Sequence, residues 1–259
     1  MEIVILPSAA EIGRLGADVV EQLVRTSPAP VLGLATGSSP LPVYRELIAR
    51  HGAGLSFEHV QAFLLDEYVG LPAGHEQSYA RTIRRELTEH LDMPDAAVHS
   101  PDGAAEDIPA ASAAYEAAIR AAGGVDVQIL GIGANGHLAF NEPGSSLTSR
   151  TRILTLTDRT RQDNARFFDS VDDVPRWALT QGLGTISDAK HLLVVATGEA
   201  KAAAVAAMAE GPVSASCPAS VAQLHRHVTV LLDEAAASRL TGAERYREVY
   251  AHKPAWQGL

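Results

Sequence analysis

Three segments of the chain place polar side chains directly after apolar runs, where such side chains could bind or transform a ligand. The first segment, Leu34 to Pro40, reads LATGSSP. Its small residues, Gly37 among them, let the backbone approach a ligand closely. The N–H groups at the start of the following helix, together with the hydroxyls of Thr36, Ser38 and Ser39, could bind a phosphate. Ordinary capping of that helix by Ser39 is the alternative explanation.

The second segment, residues 63 to 72, reads FLLDEYVGLP and places two acids at the end of an apolar strand. Successive strand residues point to opposite faces, so only one of Asp66 and Glu67 can readily face a given cleft. A carboxylate in a cleft can act as a general base. A solvated turn is the alternative interpretation.

The third segment, residues 130 to 146, reads LGIGANGHLAFNEPGSS and is the most specific. It places His137 in a glycine-rich turn with Glu142 five residues later. A histidine titrates near neutrality, and a nearby carboxylate can fix its tautomer and raise its basicity. No HxH, HExxH or Cys/His cluster is near, so we expect no metal there. His225 and His227 lack a third ligand and are interpreted as surface or structural residues.

The elements that must position these segments alternate between short apolar runs and longer helical patterns, which is typical of a doubly wound α/β domain. We expect one domain over residues 1–259, with a mostly parallel sheet and helices on both faces. Ligands then bind beyond the carboxyl ends of the strands. The predicted strands are 3–6, 31–35, 60–65, 125–132, 153–156, 191–196 and 228–232, and the predicted helices are 9–26, 41–51, 78–91, 110–122, 199–208 and a last one from 235 onward.

Composition narrows the classes of partner. The formal net charge of −10 disfavours nucleic acids and anionic membranes, and no apolar run is long enough for a membrane helix. The N-terminus lacks the basic region of a signal peptide, so we expect a cytoplasmic protein. The single cysteine, Cys217, has no neighbouring base in sequence and is interpreted as a buried or incidental thiol. Neither a Walker loop nor a dinucleotide fingerprint is present.

The three segments together resemble the glucosamine-6-phosphate deaminase family, and the resemblance extends over most of the chain, from about Val31 to Asp233. It implies a Rossmann-like three-layer sandwich and conversion of glucosamine 6-phosphate to fructose 6-phosphate and ammonia without a cofactor. The matching segments, in the family's order, are LATGSSP, LLDEYVGLP, SYARTI, GIGANGHLAFNEPGSSL, ARFFD, VPRWALTQGLGTI, TGEAKAAAV and SCPASVAQLH.

The resemblance also implies catalytic roles for matching residues. Asp66 would move a proton between C2 and C1 of the open sugar, and His137 would open the ring with Glu142 as its partner. Asn135 stands where some members have an aspartate, and an amide can orient the histidine but adds no charge. The phosphate would be bound by the turn at residues 36–39 with Arg166 and Lys201. Residues 157–175 would form a lid over the sugar.

Regulation and oligomeric state are less constrained. Hexameric members of the family are activated by N-acetylglucosamine 6-phosphate through a site that includes a lysine two positions after an arginine. Here Arg152 is present but Leu154 stands at the lysine position, so we expect weak or absent activation. The oligomeric state stays open, and a homo-oligomer is one possibility.

Two other functions compete. A 6-phosphogluconolactonase, a hydrolase on a related fold, would also bind a sugar phosphate, but LDEYVG and GHLAFNEP favour the deaminase. A non-catalytic sensor of sugar phosphates that acted on DNA would need an additional helix-turn-helix module and a basic patch, and the chain has room for neither. The presence of Asp66, His137 and Glu142 together also favours turnover.

Overall fold

A computed structural model of the protein describes residues 1–72, 74–254 and 256–259, apart from the side chains at positions 159 and 163. The strands are β1 (Glu2–Leu6), β2 (Val31–Leu34), β3 (Gln61–Leu64), β4 (Asp66–Tyr68), β5 (Val98–His99), β6 (Val127–Gly131), β7 (Arg152–Thr155), β8 (Trp177–Thr180), β9 (His191–Ala196) and β10 (Val228–Asp233). The α-helices are α1 (Ala9–Thr26), α2 (Leu41–Gly52), α3 (Tyr79–Glu86), α4 (Ile108–Ala121), α5 (Asp158–Asn164), α6 (Leu183–Ser187), α7 (Ala202–Glu210), α8 (Glu234–Ala237) and α9 (Ala243–Ala251).

Within the described ranges, seven strands form one parallel sheet in the order β1-β10-β9-β6-β2-β3-β5. The chain builds the sheet outward from β2 in one direction through β3 and β5. It then returns to the other side of β2 with β6 and continues through β9 and β10. The carboxyl ends of β2 and β6 therefore flank a topological switch point, where open α/β sheets bind ligands.

The sheet carries an apolar core on each face, because successive residues of its strands point to opposite sides. On one face the strands pack against α1 and α2, through residues such as Ile12, Val20 and Tyr44. On the other face they pack against α4, α6 and α7, through residues such as Ile119 and Val205. The predicted three-layer, single-domain α/β architecture is confirmed.

A second, smaller sheet stands beside the first and was not predicted. Its strands run antiparallel in the order β4-β8-β7. The chain leaves the large sheet at Leu64, passes through Leu65 and enters the small sheet at Asp66. The acids Asp66 and Glu67 follow the apolar strand as predicted, but they also start a new strand, which was not predicted. Strand β3 ends at Leu64, one residue earlier than predicted, and the chain changes sheets there.

The other predicted elements are present with differences at their ends, except that the helix predicted from residue 235 onward is divided into α8 and α9. Helix α1 has the predicted bounds, and the side chain of its N-cap, Ser8, accepts a hydrogen bond from the Glu11 backbone N–H at 3.2 Å. The helix predicted from residue 78 to 91 is shorter: α3 ends at Glu86 and a 3₁₀ turn, Thr88–His90, follows. The helix predicted from residue 199 begins as a 3₁₀ turn before α7.

Glu116 on α4 joins the small sheet to the large one. The residue is buried, and its Oε1 accepts hydrogen bonds from the backbone N–H and the hydroxyl of Thr151, at 2.8 and 2.7 Å, and from the Thr185 hydroxyl. Arg150 donates to Oε2 at 2.5 Å. Burial alone would raise the pKa of Glu116, but these donors lower it from 4.5 to about 2.

The two ends of the chain lie together at the amino ends of the large sheet. Lys253 Nζ pairs with the Glu2 carboxylate at 2.6 Å, and Leu259 borders the same groove as Met1 and Val228. The switch point lies at the opposite, carboxyl ends of the strands. Across the three described ranges, no helix combines the length and apolarity that crossing a bilayer requires.

We expect Glu116→Gln to lower the free energy of unfolding at pH 7 by about 2–3 kcal/mol, because the folded state loses a carboxylate with a strongly lowered pKa. As the pH falls from about 4.5 to about 2, the unfolded chain takes up a proton that the folded protein resists, so wild-type stability falls over that window. Glu116→Gln has no carboxyl at this position, so its stability does not fall for this reason. Urea unfolding at pH 7 and pH 3 measures both effects.

Glu106→Gln serves as the control, since Glu106 is exposed and lies on the loop before α4. We expect its free energy of unfolding to match that of the wild type within about 0.5 kcal/mol. Equal stability of Glu116→Gln and wild type at pH 7 would contradict the assignment of Glu116 as the link between the sheets.

Candidate active site

A cavity of about 270 Å³ lies at the carboxyl ends of β2 and β6. Its size is at the lower end of the range for small-molecule sites. Loops from both sheets and from the segment around α5 enclose it. The lining residues are Ala35, Thr36, Gly37, Ser38, Ser39, Leu65, Asp66, Tyr79, Gly131, Ile132, Gly133, His137, Ala139, Phe140, Thr160, Asn164, Arg166 and Lys201.

The turn after β2 forms one wall of the cavity. Gly37 has φ +94°, a left-handed conformation that an L side chain rarely adopts, and the turn brings Thr36, Ser38 and Ser39 to the cavity. The alternative that Ser39 caps the next helix is wrong, because the N-cap of α2 is Pro40 and no side chain caps it. To the residues that the structure describes, the hydroxyls of Thr36, Ser38 and Ser39 make no hydrogen bond, so they can donate to an anion.

The neighbouring tyrosine of α2 fixes the start of this turn. Tyr44 is fully buried, and its hydroxyl donates to the Ala35 carbonyl at 2.7 Å while accepting from the Ala35 N–H at 3.1 Å. Both backbone polar groups of Ala35 are satisfied by one side chain. The turn therefore leaves the sheet in a fixed direction.

The two acids of β4 face opposite ways, as the sequence predicts. Asp66 lines the cavity. Glu67 points to the other side, where its carboxylate accepts hydrogen bonds from the backbone N–H groups of Tyr79 and Ala80, at 2.9 and 3.0 Å, in the first turn of α3. It also accepts from the Tyr68 N–H at 2.8 Å. Glu67 thus stabilises a helix N-terminus, and Asp66 is the acid that a ligand could reach.

Both carboxyls are buried, with different consequences. Burial raises the pKa of Asp66 well above its usual value, and the neighbouring Glu67 raises it further. Burial also raises the pKa of Glu67, although the three backbone donors oppose the shift. A carboxylate with a raised pKa and no hydrogen bond to another described residue is a stronger base than an exposed aspartate.

The turn after β6 brings His137 to the cavity. A side chain at Gly133 would place its Cβ 2.2 Å from His137 Cε1, so the imidazole packs directly on the glycine backbone. The Gly133 N–H donates to the His137 carbonyl at 3.0 Å and closes the turn. The glycine-rich sequence is therefore required for the histidine ring to lie where it does.

Asn135 and Glu142 lie behind His137. Asn135 Oδ1 accepts from the backbone N–H of His137 at 3.2 Å, and Asn135 Nδ2 donates to Glu142 Oε2 at 2.6 Å. Glu142 Oε1 lies 3.8 Å from His137 Nδ1 and accepts from the Thr160 hydroxyl at 2.8 Å. Asn135 therefore contacts the backbone of the histidine turn and the carboxylate.

Two cations complete the cavity. Lys201 ends the 3₁₀ turn before α7 and is half-buried, and burial lowers the pKa of its ammonium. Arg166 lies on a 3₁₀ turn after α5 and is exposed, with its guanidinium 4.7 Å from the centre of the Phe167 ring. All six residues predicted to bind phosphate line this one cavity.

Several lining residues were not predicted as site residues, among them Tyr79, Ala139, Phe140, Thr160 and Asn164. Ala139 adopts φ +52°, which costs a non-glycine residue on the order of 1 kcal/mol, and such conformations cluster at functional sites. Its sequence, LAF, gives no sign of this. Thr160 and Asn164 lie within the segment predicted as a lid, and Tyr79 within the motif SYARTI.

Outside the cavity, other side chains singled out in the sequence have packing roles. The His227 ring stacks on the buried His191 ring with centroids 3.7 Å apart, and Cys217 packs its half-buried thiol against Gly136. Leu154 packs beside a small apolar cluster that contains Tyr68 and Phe140. No group of three or more His, Cys, Asp and Glu side chains suited to a metal occurs in the described part of the chain.

Comparison with known proteins gives consistent matches over the whole chain. The curated glucosamine-6-phosphate deaminase of Arthrobacter sp. (strain FB24) is 64% identical, with both chains covered in full. The corresponding protein of Rhodococcus opacus (strain B4) is 62% identical, also over both full lengths. The structure of a monomeric glucosamine-6-phosphate deaminase, 41% identical, superposes with a TM-score of 0.89 over 92% of this chain and 100% of that one.

More distant structures share the fold. The 6-phosphogluconolactonase of Thermotoga maritima is 22% identical and superposes with a TM-score of 0.70 over 90% of this chain and 98% of that one. A family model described as glucosamine-6-phosphate isomerases/6-phosphogluconolactonase matches residues 8–231. By this match and by the identity of its relatives, the chain belongs to the glucosamine-6-phosphate isomerase/6-phosphogluconolactonase family.

Proposed function

We propose that the chain is a glucosamine-6-phosphate deaminase, which converts glucosamine 6-phosphate and water to fructose 6-phosphate and ammonia. One observation carries the proposal: the Asp66 carboxylate and the His137 imidazole line the same cavity as an anion-binding turn and two cations. A base, a proton shuttle and a phosphate site are the parts that this reaction needs. The relatives at 62 and 64% identity carry the same activity in their names.

The phosphate group supplies positioning at a distance from the reacting carbons. The turn at residues 36–39 offers hydroxyls and backbone N–H groups, Lys201 offers a compact charge and Arg166 a planar fork of donors. Burial lowers the pKa of Lys201, because its ammonium loses contacts with water. A bound phosphate dianion replaces those contacts with a charge-charge interaction.

Ring opening is the first chemical step, since the closed amino sugar has no C–H next to a free carbonyl. His137 takes the proton of the C1 hydroxyl and delivers a proton to the ring oxygen, so that the step neither gains nor loses a proton. Glu142, with Oε1 3.8 Å from His137 Nδ1, stabilises the charged imidazolium. The Asn135 amide donates to Oε2 of that carboxylate and accepts from the backbone N–H of His137, so it holds both in place.

Asp66 then removes the C2 proton of the open aldehyde while the carbonyl oxygen takes a proton from the substrate's own ammonium group, which gives an enolamine. The same carboxyl returns the proton to C1, so that C1 becomes a hydroxymethyl group and C2 an iminium ion. Water adds to C2, ammonia leaves and the ketone of fructose 6-phosphate remains. One carboxylate on one face of the sugar serves both transfers, and a general base of this kind contributes about 10²–10⁴-fold.

A 6-phosphogluconolactonase remains the second candidate, and the fold alone is compatible with it. Lactone hydrolysis requires no base aligned with a sugar C2, whereas the buried Asp66 with its raised pKa suits a proton abstraction next to a carbonyl. The cytoplasmic location, the oligomeric state and the independence from nucleic acid stay predictions from the sequence.

The first experiment measures ammonia and fructose 6-phosphate released from glucosamine 6-phosphate, with Asp66→Asn alongside the wild type. We expect equal amounts of both products, and a rate about 10²–10⁴-fold lower in the variant. Since the base must be deprotonated and burial raises its pKa, wild-type activity falls on the acid side at a pH above the usual aspartate range.

Glu67→Gln is the matched control, because Glu67 is the adjacent buried acid and does not line the cavity. We expect it to lose stability but to keep turnover far above that of Asp66→Asn. A folded wild-type protein that releases no ammonia, yet hydrolyses 6-phosphogluconolactone, would replace the deaminase with the lactonase.

We further propose that residues 157–175 close over the bound sugar phosphate and that Arg166 contacts the phosphate when they do. We expect the reduced open-chain analogue of the substrate, which lacks the C1 carbonyl, to slow backbone hydrogen exchange in this segment. In Arg166→Met the protection should weaken and KM should rise about tenfold, since a charge-assisted hydrogen bond is lost. Exchange that the analogue leaves unchanged in the wild type would refute the closure.

We also propose that N-acetylglucosamine 6-phosphate does not activate the enzyme. Leu154 offers no charge to a phosphate and packs into the apolar cluster, while Arg152 donates internally to Asn141 Oδ1 at 2.9 Å. We expect the half-saturation concentration for glucosamine 6-phosphate to be unchanged by this effector. A decrease of several-fold in that concentration would show that a site exists without the lysine.

A further inference from the structure

The end of strand β8 lies between the two loops that carry the acid–base residues. Thr180 is the last residue of β8, and Gln181 follows it. Both are buried, with exposed fractions of 0 and 1%. Neither residue lines the cavity, so neither can touch a substrate in this arrangement. Their polar groups must therefore serve other parts of the protein.

On one side, Gln181 binds the peptide groups that lead into Asp66. Its backbone N–H donates to the Leu65 carbonyl at 2.7 Å, and its Nε2 donates to the Leu64 carbonyl at 2.9 Å. Leu64 and Leu65 are where the chain leaves the large sheet for the small one. The direction of these two carbonyls fixes the direction in which Asp66 leaves Leu65.

On the other side, the same two residues bind the loop between His137 and Glu142. The Gln181 carbonyl accepts from Asn141 Nδ2 at 2.8 Å, and the Thr180 hydroxyl accepts from the Phe140 N–H at 3.2 Å. Asn141 is fully buried and directly precedes Glu142, and its Nδ2 also donates to the Leu138 carbonyl at 3.0 Å.

We propose that Gln181 is a positioning residue of the reaction, which holds Asp66 in register with the His137–Glu142 loop by binding both from one buried point. The inference rests on the proposed function, since it assigns Asp66 and His137 to one reaction. Proton transfer between C2 and C1 requires the carboxylate to lie within hydrogen-bond reach of both carbons, and ring opening requires the histidine to face the same sugar. Displacements near 1 Å are enough to reduce such rates about 100-fold.

The side-chain amide of Gln181 can be removed while its backbone hydrogen bonds to the two loops stay in place. The Leu64 carbonyl also accepts from the Tyr115 hydroxyl at 2.7 Å, so it stays satisfied when Nε2 is absent. The backbone bonds of Gln181 to Leu65 and Asn141 do not depend on its side chain. We therefore expect a variant without this amide to fold, with the position of the Asp66 carboxylate less well fixed. The phosphate site lies on other loops, so substrate binding should change little.

The test compares Gln181→Met with Gln128→Met. Gln128 is the matched control: it is also fully buried, and its Nε2 donates to a backbone carbonyl, that of Ile129, at 3.0 Å, but within the large sheet. We expect Gln181→Met to lower kcat about 10- to 100-fold with KM within about twofold of the wild type. Gln128→Met likewise exchanges a buried amide for a thioether, and its kcat should stay within about twofold of the wild-type value.

A kinetic isotope effect separates positioning from a general loss of structure. With substrate deuterated at C2, the ratio of the rates for protium and deuterium should rise in Gln181→Met, because abstraction by a misplaced Asp66 becomes rate-limiting. Gln181→Glu, which keeps the shape and replaces the donor by an oxygen, provides the same measurement if the methionine variant does not fold.

Three results would overturn the inference: a kcat within about twofold of the wild type, an equal loss of kcat in Gln128→Met, or an unchanged isotope effect. Each of them requires an active wild-type enzyme. A wild-type protein that releases no ammonia would instead refute the proposed function, so the two failures are distinguishable.

Discussion

The parallel pairing of β2 with β6 brings two loops of unrelated sequence to one edge of the sheet. Leu32 pairs with Val127 and Gly33 with Gln128. The pairing depends on the glycine, because a Cβ at position 33 would lie 2.0 Å from Gln128 Oε1. With the strands in this register, the turn at residues 36–39 and the turn that carries His137 leave the sheet side by side. The pairing therefore fixes where on the sheet the cavity lies, and residues of β4, of the segment around α5 and of the turn before α7 complete its walls.

Four acids of the protein differ in how far their carboxylates are hydrogen-bonded. Glu67, Glu116 and Glu142 each accept several hydrogen bonds, whereas Asp66 accepts none from a residue in the described ranges. A buried carboxyl without donors costs stability, and the left-handed Ala139 adds backbone strain beside it. The rest of the fold offsets both costs through its two apolar cores. Two unfavourable local features, a buried carboxyl without a donor among the described residues and a strained backbone, thus lie together where a substrate would bind.

The sequence predicted the large sheet and all of its substantial strands, because buried parallel strands are short apolar runs with a distinct composition. It also predicted that only one of Asp66 and Glu67 could face a given cleft, which follows from strand geometry, and the family resemblance indicated Asp66. It did not predict β4, which begins with two acids, or β8, which is only four residues long, because both are strands through their pairing in the small sheet. Thr160, Asn164 and Ala139 were missed as lining residues because the packing of α5 and the left-handed backbone of Ala139, not residue type, bring them to the cavity.

Both chain ends lie at the amino ends of β1 and β10, and the cavity lies at the carboxyl ends of the strands. Strands of five and six residues separate these two sides by roughly 15–20 Å. A fusion partner or a surface tether attached at Met1 or Leu259 therefore leaves from the side opposite the cavity. The molecule can be immobilised through either end while the cavity faces the solution.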